Sequence, residues 1–192
     1  MITKTQGWTI QDLTTLPNDG GWTRYEIIHG ELHMTRAPHI RHQGVASKLQ
    51  VRLENWSEAT GLGNTFQVPG IVFSPTDAVI PDLVWASREC LAKGLDEAGH
   101  FIIAPELIVE ILSPGAANQQ RDKETKLNLY SRYGVQEYWI VDWQAKTIEL
   151  YRPSNSPLNN SQLNLITTLQ VGDTLTSPLL PGFNAVVAEI FP

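Results

Sequence analysis

The spacing of hydrophobic and polar positions changes several times along the chain, and each change marks an element. Ile40, Val45, Leu49, Leu53 and Trp56 recur at helical spacing, which predicts an amphipathic helix over 39–59. RYEIIHGELHM alternates on either side of His29-Gly30 and predicts two strands joined by a tight turn. NTFQVPGIVFS and VIPDLVWAS are strand-like. TIQDL opens a short helix, with Thr9 as N-cap and Asp12 completing a capping box, and Ser87 caps a second short helix in RECLAKGL. Residues 117–133 predict a longer helix stopped by Gly134. QEYWIVDW and TIELYRP predict a hairpin turning around QAK, and LNLITTLQ alternates as a half-buried strand. RPSNSPLNNSQ, 152–162, reads as a surface loop. The last stretch, SPLLPGFNAVVAEIFP, is expected to pack as a short helix or turn.

PELIVEILSPG, residues 105–115, departs from all of these. Leu107, Ile108, Val109, Ile111 and Leu112 form an unbroken apolar run bounded by Pro and Gly, the pattern of a strand buried on both faces. The order strand 106–112, helix 117–133, strand 137–142 fits a right-handed crossover between parallel strands. The fold class is therefore mixed α/β, with a mixed sheet and flanking helices. No repeat or linker divides the chain, so residues 1–192 are expected to form a single domain.

Composition narrows the function. No apolar run approaches the roughly 20 residues that a membrane-spanning helix needs, so no membrane partner is expected. MITKTQGWTIQDL has no apolar signal core, and the single Cys90 cannot form an internal disulfide; both point to a reducing cytoplasm, with Cys90 as a small packing residue. The net charge of −6 argues against broad non-specific affinity for nucleic acid, yet permits a nucleic-acid enzyme whose bound cations offset clustered carboxylates.

The candidate chemistry begins with Glu110, set in the middle of the apolar run. Desolvating an unpaired carboxylate costs on the order of several kcal/mol. Asp82, beside Pro81, is flanked by apolar residues on the preceding predicted strand. If the two strands neighbour each other, both acids face one pocket, where a hard cation such as Mg²⁺ would hold them ionised. Asp122, Lys126 and Tyr130 share one helix face, so Lys126 can reach past the strand ends, steadied by Asp122. Plainer readings stand beside these. Asp122–Lys126 is also a solvated helix pair, Asp82 a turn residue after Pro, and Glu110 an exposed strand residue if Ile108 and Leu112 share that exposed face. His42 at a helix start is structural by default, and Glu26 and Glu31 in a hairpin are solvent-facing by default. His29, His33, His39 and His42 form no helical ligand pair, and zinc is not expected.

Taken in order, YEIIHGEL (25–32), RHQ (41–43), VIPDLVW (79–85), ELIVEILSPG (106–115), RDKETKLNLYSRYGVQEYWIVD (121–142) and GDTLTSPLLPG (172–182) resemble the Uma2 family, also known as DUF820, over nearly the whole chain. The family is placed in the PD-(D/E)XK nuclease superfamily. The resemblance implies a restriction-endonuclease-like core with extra C-terminal β-hairpins and Mg²⁺-dependent hydrolysis of DNA, with Mn²⁺ as a substitute. By position, Pro81-Asp82 is the "PD" and Glu110 the second acid, and the Ile111 carbonyl joins them as metal ligands. The superfamily lysine would fall at Leu112. Its absence there implies that it has moved to the following helix, where Lys126 fits. Glu31, and with less support Glu26, match acidic positions of the family, and His42 matches its histidine, completing the shell or shuttling a proton. Cutting both strands needs two sites, so a homodimer is expected. Two rivals remain: a degenerate nuclease fold that binds nucleic acid or a protein without cutting, and an oligomerisation module using the tryptophans and the 137–151 hairpin.

Overall fold

A computed structural model describes residues 7–154 and 162–192, so most of the predicted 152–162 loop lies outside the described residues. The elements open with helix α1 (Ile10–Leu13), hairpin β1 (Thr23–Ile28) and β2 (Glu31–Arg36), and helix α2 (Ile40–Thr60). Strands β3 (Gly63–Gln67), β4 (Ile71–Ser74), β5 (Asp77–Val79) and β6 (Leu83–Ser87) follow, then helix α3 (Arg88–Lys93) and strand β7 (Leu107–Ile111). Helix α4 (Ala116–Gln120) runs through a π-helical turn (Arg121–Thr125) into α5 (Lys126–Arg132). Strands β8 (Glu137–Asp142), β9 (Thr147–Pro153), β10 (Leu163–Leu169), β11 (Thr174–Ser177) and β12 (Leu180–Val186) and helix α6 (Val187–Ile190) complete the order.

A six-stranded sheet, ordered β10-β9-β8-β7-β6-β3, forms the centre, with a four-stranded sheet β2-β1-β5-β4 beside it. β7 and β8 pair in parallel across the α4–α5 connection, as the crossover pattern requires, while the other pairings are antiparallel. Side chains alternate across the central sheet. Leu107, Val109 and Ile111 face a core built with α2, the β11–β12 hairpin and α6. Ile108 and Leu112 face a second core with α5 and the smaller sheet. Both cores are apolar, which is why β7 reads as a continuous run. The 137–151 hairpin lies inside the central sheet, with Trp139 fully buried, and so packs the core instead of offering an interface.

The local signals act as read. The Thr9–Asp12 capping box is present, the Ser87 hydroxyl accepts from the Cys90 N–H, and α2 ends at Gly61 in the left-handed conformation. His29 and Gly30 both have positive φ, the requirement of a tight two-residue hairpin.

Four segments differ from expectation. NTFQVPGIVFS is not one strand: Val68 turns to φ 46, and β3 and β4 enter different sheets. VIPDLVWAS likewise breaks at Pro81, which cannot donate to a ladder, leaving β5 in the small sheet and β6 in the large one. The C-terminal stretch adds a full hairpin before its short helix, because Leu180, Phe183 and Ala185 bury one face of an extended chain. β10 is an edge strand, exposed from residue 164 to 168 between Leu163 and Leu169, not half-buried by alternation.

β3 lies so close to β6 that a Cβ on Gly63 would sit 2.2 Å from the Ala86 carbonyl oxygen and 2.7 Å from the Trp85 ring. Gly63→Ala should therefore destabilise the protein by about 1–3 kcal/mol or more, as overpacking does. Gly44→Ala, within α2 where a Cβ meets nothing within 4 Å, should stabilise it by about 0.5–1 kcal/mol. Urea unfolding of the two variants checks both signs.

Candidate active site

Glu110 follows the two-residue period of β7 and shares a face with Ile108 and Leu112. Those two are 0% and 2% exposed, so the solvent-facing reading of Glu110 fails, and Glu110 itself is buried. The face is covered by α5, from which Lys126 and Tyr130, one turn apart, both reach it. Lys126 Nζ and the Tyr130 hydroxyl each donate to Glu110 Oε1 at 2.8 Å. Lys126 Nζ also lies 2.9 Å from Glu26 Oε1, and that oxygen accepts the Ile80 N–H at 2.8 Å.

Asp82 sits where the chain leaves the small sheet for the large one. β6 begins at Leu83, opposite Val109, so the Ile111 N–H has no strand partner on that side. Asp82 Oδ2 accepts it at 2.9 Å and also lies 3.0 Å from His42 Nε2. In an extended strand a residue's N–H and C=O point the same way, so the Ile111 carbonyl is directed to the Asp82 side. Asp82 Oδ1 lies 3.8 Å from Arg24 Nη1.

These groups surround a cavity of about 30 Å³. Glu26, His42, Asp82, Glu110, Asp122 and Lys126 bound it, with Arg24, Arg36 and Arg121 at its margin. The fold thus brings together Asp82, Glu110, Ile111, Lys126, Asp122 and His42 from the predicted set. Glu31 is not brought there. It opens β2 beside the hairpin turn, paired with Ile28, and is exposed. Glu26 takes the place instead, against the expectation that it faces solvent. Its signal was Ile28, which shares its strand face and is buried. Asp122 was expected to steady Lys126. Within the π-helical turn its carboxylate instead accepts from Arg121 Nε at 3.1 Å, and Glu26 and Glu110 hold the lysine. Tyr130, on the same helix face as Lys126 by spacing, adds its hydroxyl to the site, and the three arginines are further site groups that spacing did not single out.

The family model described as "putative restriction endonuclease" matches residues 10–188. The chain belongs to the Uma2 family. The Uma2 chain is also similar to a solved structure from Anabaena variabilis ATCC 29413, described as a putative nuclease belonging to DUF820. The two are 17% identical, with a TM-score of 0.73 over 95% of this chain and 97% of that one. At that identity the likeness is one of fold, and it agrees with the mixed α/β architecture. No curated protein matches the chain.

Charge is unevenly balanced in this Uma2 site. Burial pushes the Glu110 carboxyl up to about 8; the Asp122, Asp82 and Glu26 charges add to that, and Lys126 only partly opposes it. Burial raises Asp122 as well. Burial alone would also raise Glu26 and Asp82, but both are held below the ordinary carboxylate range. Lys126 and the Ile80 N–H do this for Glu26, and the His42 and Ile111 hydrogen bonds do it for Asp82. Burial works against the Lys126 charge, yet Glu110, Glu26 and Asp122 outweigh it and hold the lysine above its ordinary value.

The folded protein therefore keeps a proton on Glu110 that the unfolded chain releases above pH 4.5. This contribution to stability is complete below 4.5 and is lost as pH rises toward about 8. His33, which burial holds below 6.5, acts in the opposite sense up to that pH. With EDTA present, the urea midpoint of wild type should fall between about pH 6.5 and 8, and Glu110→Gln should flatten that fall. Lys126→Ala strands the buried Glu26 carboxylate and removes a donor to Glu110, and should cost about 3–5 kcal/mol by the same measurement.

Proposed function

We propose that this protein is a Mg²⁺-dependent endonuclease that hydrolyses DNA phosphodiester bonds, with Mn²⁺ able to substitute. One observation carries the reading: Asp82, Glu110 and the Ile111 backbone converge on a single polar cavity at adjoining strand ends, with Lys126 beside them.

The donors fit a hard divalent cation. Among the described residues no three His, Cys, Asp or Glu side chains close around a metal position. Mg²⁺ asks for less: one or two carboxylates, with water and substrate oxygens filling its octahedron. The bonds to Glu110 from Lys126 and Tyr130 both fall on Oε1, and those to Asp82 from His42 and Ile111 both fall on Oδ2. Each acid thus keeps a second oxygen outside those bonds. A cation would also offset the burial, and the repulsion added to it, that raise Glu110.

In this reading Asp82, Glu110 and the Ile111 carbonyl hold the metal, which when bound polarises the scissile phosphate and acidifies a water. Lys126, fixed by Glu26, orients the attacking water and stabilises charge developing on the phosphate. His42 holds Asp82 or passes a proton. Glu31, outside the cavity, has no part. Cutting both strands of a duplex calls for two such sites, hence a homodimer.

A second reading has one observation in its favour. Each acid already has two partners within the protein on one of its oxygens, Glu110 with Lys126 and Tyr130, Asp82 with His42 and the Ile111 N–H. A protein that binds nucleic acid or a partner without cutting would look the same.

Supercoiled plasmid and short oligonucleotides, incubated with Mg²⁺, Mn²⁺ or EDTA, separate the two. Wild type is expected to nick or cut only with metal. Asp82→Asn and Glu110→Gln, folded by circular dichroism, should fall by about a hundredfold or more, the scale of lost electrostatic stabilisation. Wild type that is folded, binds no metal by calorimetry and leaves every substrate intact would favour binding without cutting.

A further inference from the structure

A flat aromatic platform stands beside a groove next to the cavity. The rings of His39 and Trp143 are stacked, 5.1 Å between centroids and 9° from parallel. Both are pinned through the backbone. His39 is the N-cap of α2, and its Nδ1 accepts the Arg41 N–H at 3.1 Å. The Trp143 indole donates to the Leu112 carbonyl at 3.1 Å, one residue beyond Ile111 on the strand that carries the site. Trp143 packs against the core, while His39 is exposed, so one broad ring face points outward. The Arg41 guanidinium lies over Trp143, 5.9 Å from the ring centroid.

The platform borders a groove of about 340 Å³, lined by His39 and by Arg36, Pro38 and Ser113, which also bound the Asp82–Glu110 cavity. A second groove of about 370 Å³ shares Met34 and Asn118 with the first and Arg121 with the cavity. The two grooves adjoin each other between β2 and the α4 region, and each shares part of its lining with the cavity; we take them as one trough. Its cations suit a phosphate backbone: Arg36 is exposed, and Arg121 is mostly buried with its Nε given to Asp122. In a duplex each base face is already covered by its neighbours. A preset ring with one free face suits a base that is unpaired and unstacked.

Resting on the nuclease reading, we infer that the trough takes a single unpaired DNA strand. One base stacks on His39, and the adjoining phosphate lies against Arg36 and Arg121 over the Asp82–Glu110 cavity. The site then acts on single-stranded or locally opened DNA in preference to intact duplex.

The test is fluorescence anisotropy of a labelled single-stranded DNA and of a hairpin duplex of the same composition, at fixed salt in EDTA so that nothing is cut. Wild type should bind the single strand about tenfold or more tighter than the duplex. His39→Asn keeps a capping acceptor and removes the ring; it should lose about fivefold to a hundredfold of single-strand affinity, the worth of one stacked base. His39→Phe restores an aromatic face and should recover most of that loss. Equal affinity of wild type for the two forms, or His39→Asn binding like wild type with its thermal unfolding unchanged, would overturn the inference. Cleavage is scored separately with Mg²⁺. Strand binding of the expected kind without cleavage would fail the nuclease reading alone, and metal-dependent cleavage without single-strand preference would fail the platform alone.

Discussion

Glu110 and Lys126 meet in a place where neither charge is tolerable by itself. The lysine is 1% exposed and the glutamate 4%, and the cluster around them holds three further carboxylates. A buried lysine–carboxylate cluster of this kind, in which Glu26 holds the lysine's charge, is a weak means of stabilising a fold. Apolar side chains of similar volume commonly do as well, whereas removing one partner costs several kcal/mol in order of magnitude. What the pair does achieve is placement. It ties α5 to the middle of β7, and through Glu26 and the Ile80 N–H it ties both to the small sheet.

The rest of the site follows from how the two sheets share one chain. At Val68–Gly70 and again at Pro81-Asp82 the backbone leaves one sheet for the other. The second crossing ends the β5 segment just before β6 begins, and the ladder partner that Ile111 would have had is missing. Asp82 supplies a carboxylate oxygen where a backbone carbonyl would have been. The seam between the sheets is thus both a gap in the hydrogen-bond ladder and the wall of the cavity. His42 enters from α2, on the opposite layer, and completes the closure beside Asp82.

Much of this was legible in particular residues. A lone glutamate in a continuous apolar strand marked Glu110, because only a partner or a cation makes that burial acceptable. The four-residue spacing of Lys126 and Tyr130 placed both on one face, and both do reach Glu110. Glu26 and Glu31 illustrate the opposite case. They sit in the same hairpin and look alike locally, yet one is buried beside Lys126 and the other is exposed, since only the neighbouring sheet distinguishes their positions. The π-helical turn at Arg121–Thr125 was invisible to periodicity, because a single widened turn barely disturbs the apolar spacing on either side. It redirects Asp122 to Arg121 all the same.

By itself the sequence determined most of the helices and strands and their order, the parallel crossover and the presence of buried acids; it did not show the strand breaks at Val68 and Pro81 or the C-terminal hairpin. What it determined depends on local periodicity, on Gly and Pro, and on the cost of desolvating a charge, all of which act within a few residues. Only the tertiary structure decided which strands belong to which sheet, which glutamate joins the site, and what occupies each carboxylate oxygen. Those outcomes depend on contacts between residues far apart in the chain: Glu26 with Lys126, His42 with Asp82, Trp143 with Leu112 and His39. Hydrophobic burial brings such residues together, but it is indifferent to which polar atoms then meet. Hydrogen-bond geometry at the seam makes that selection, and it exists only once the two sheets have packed.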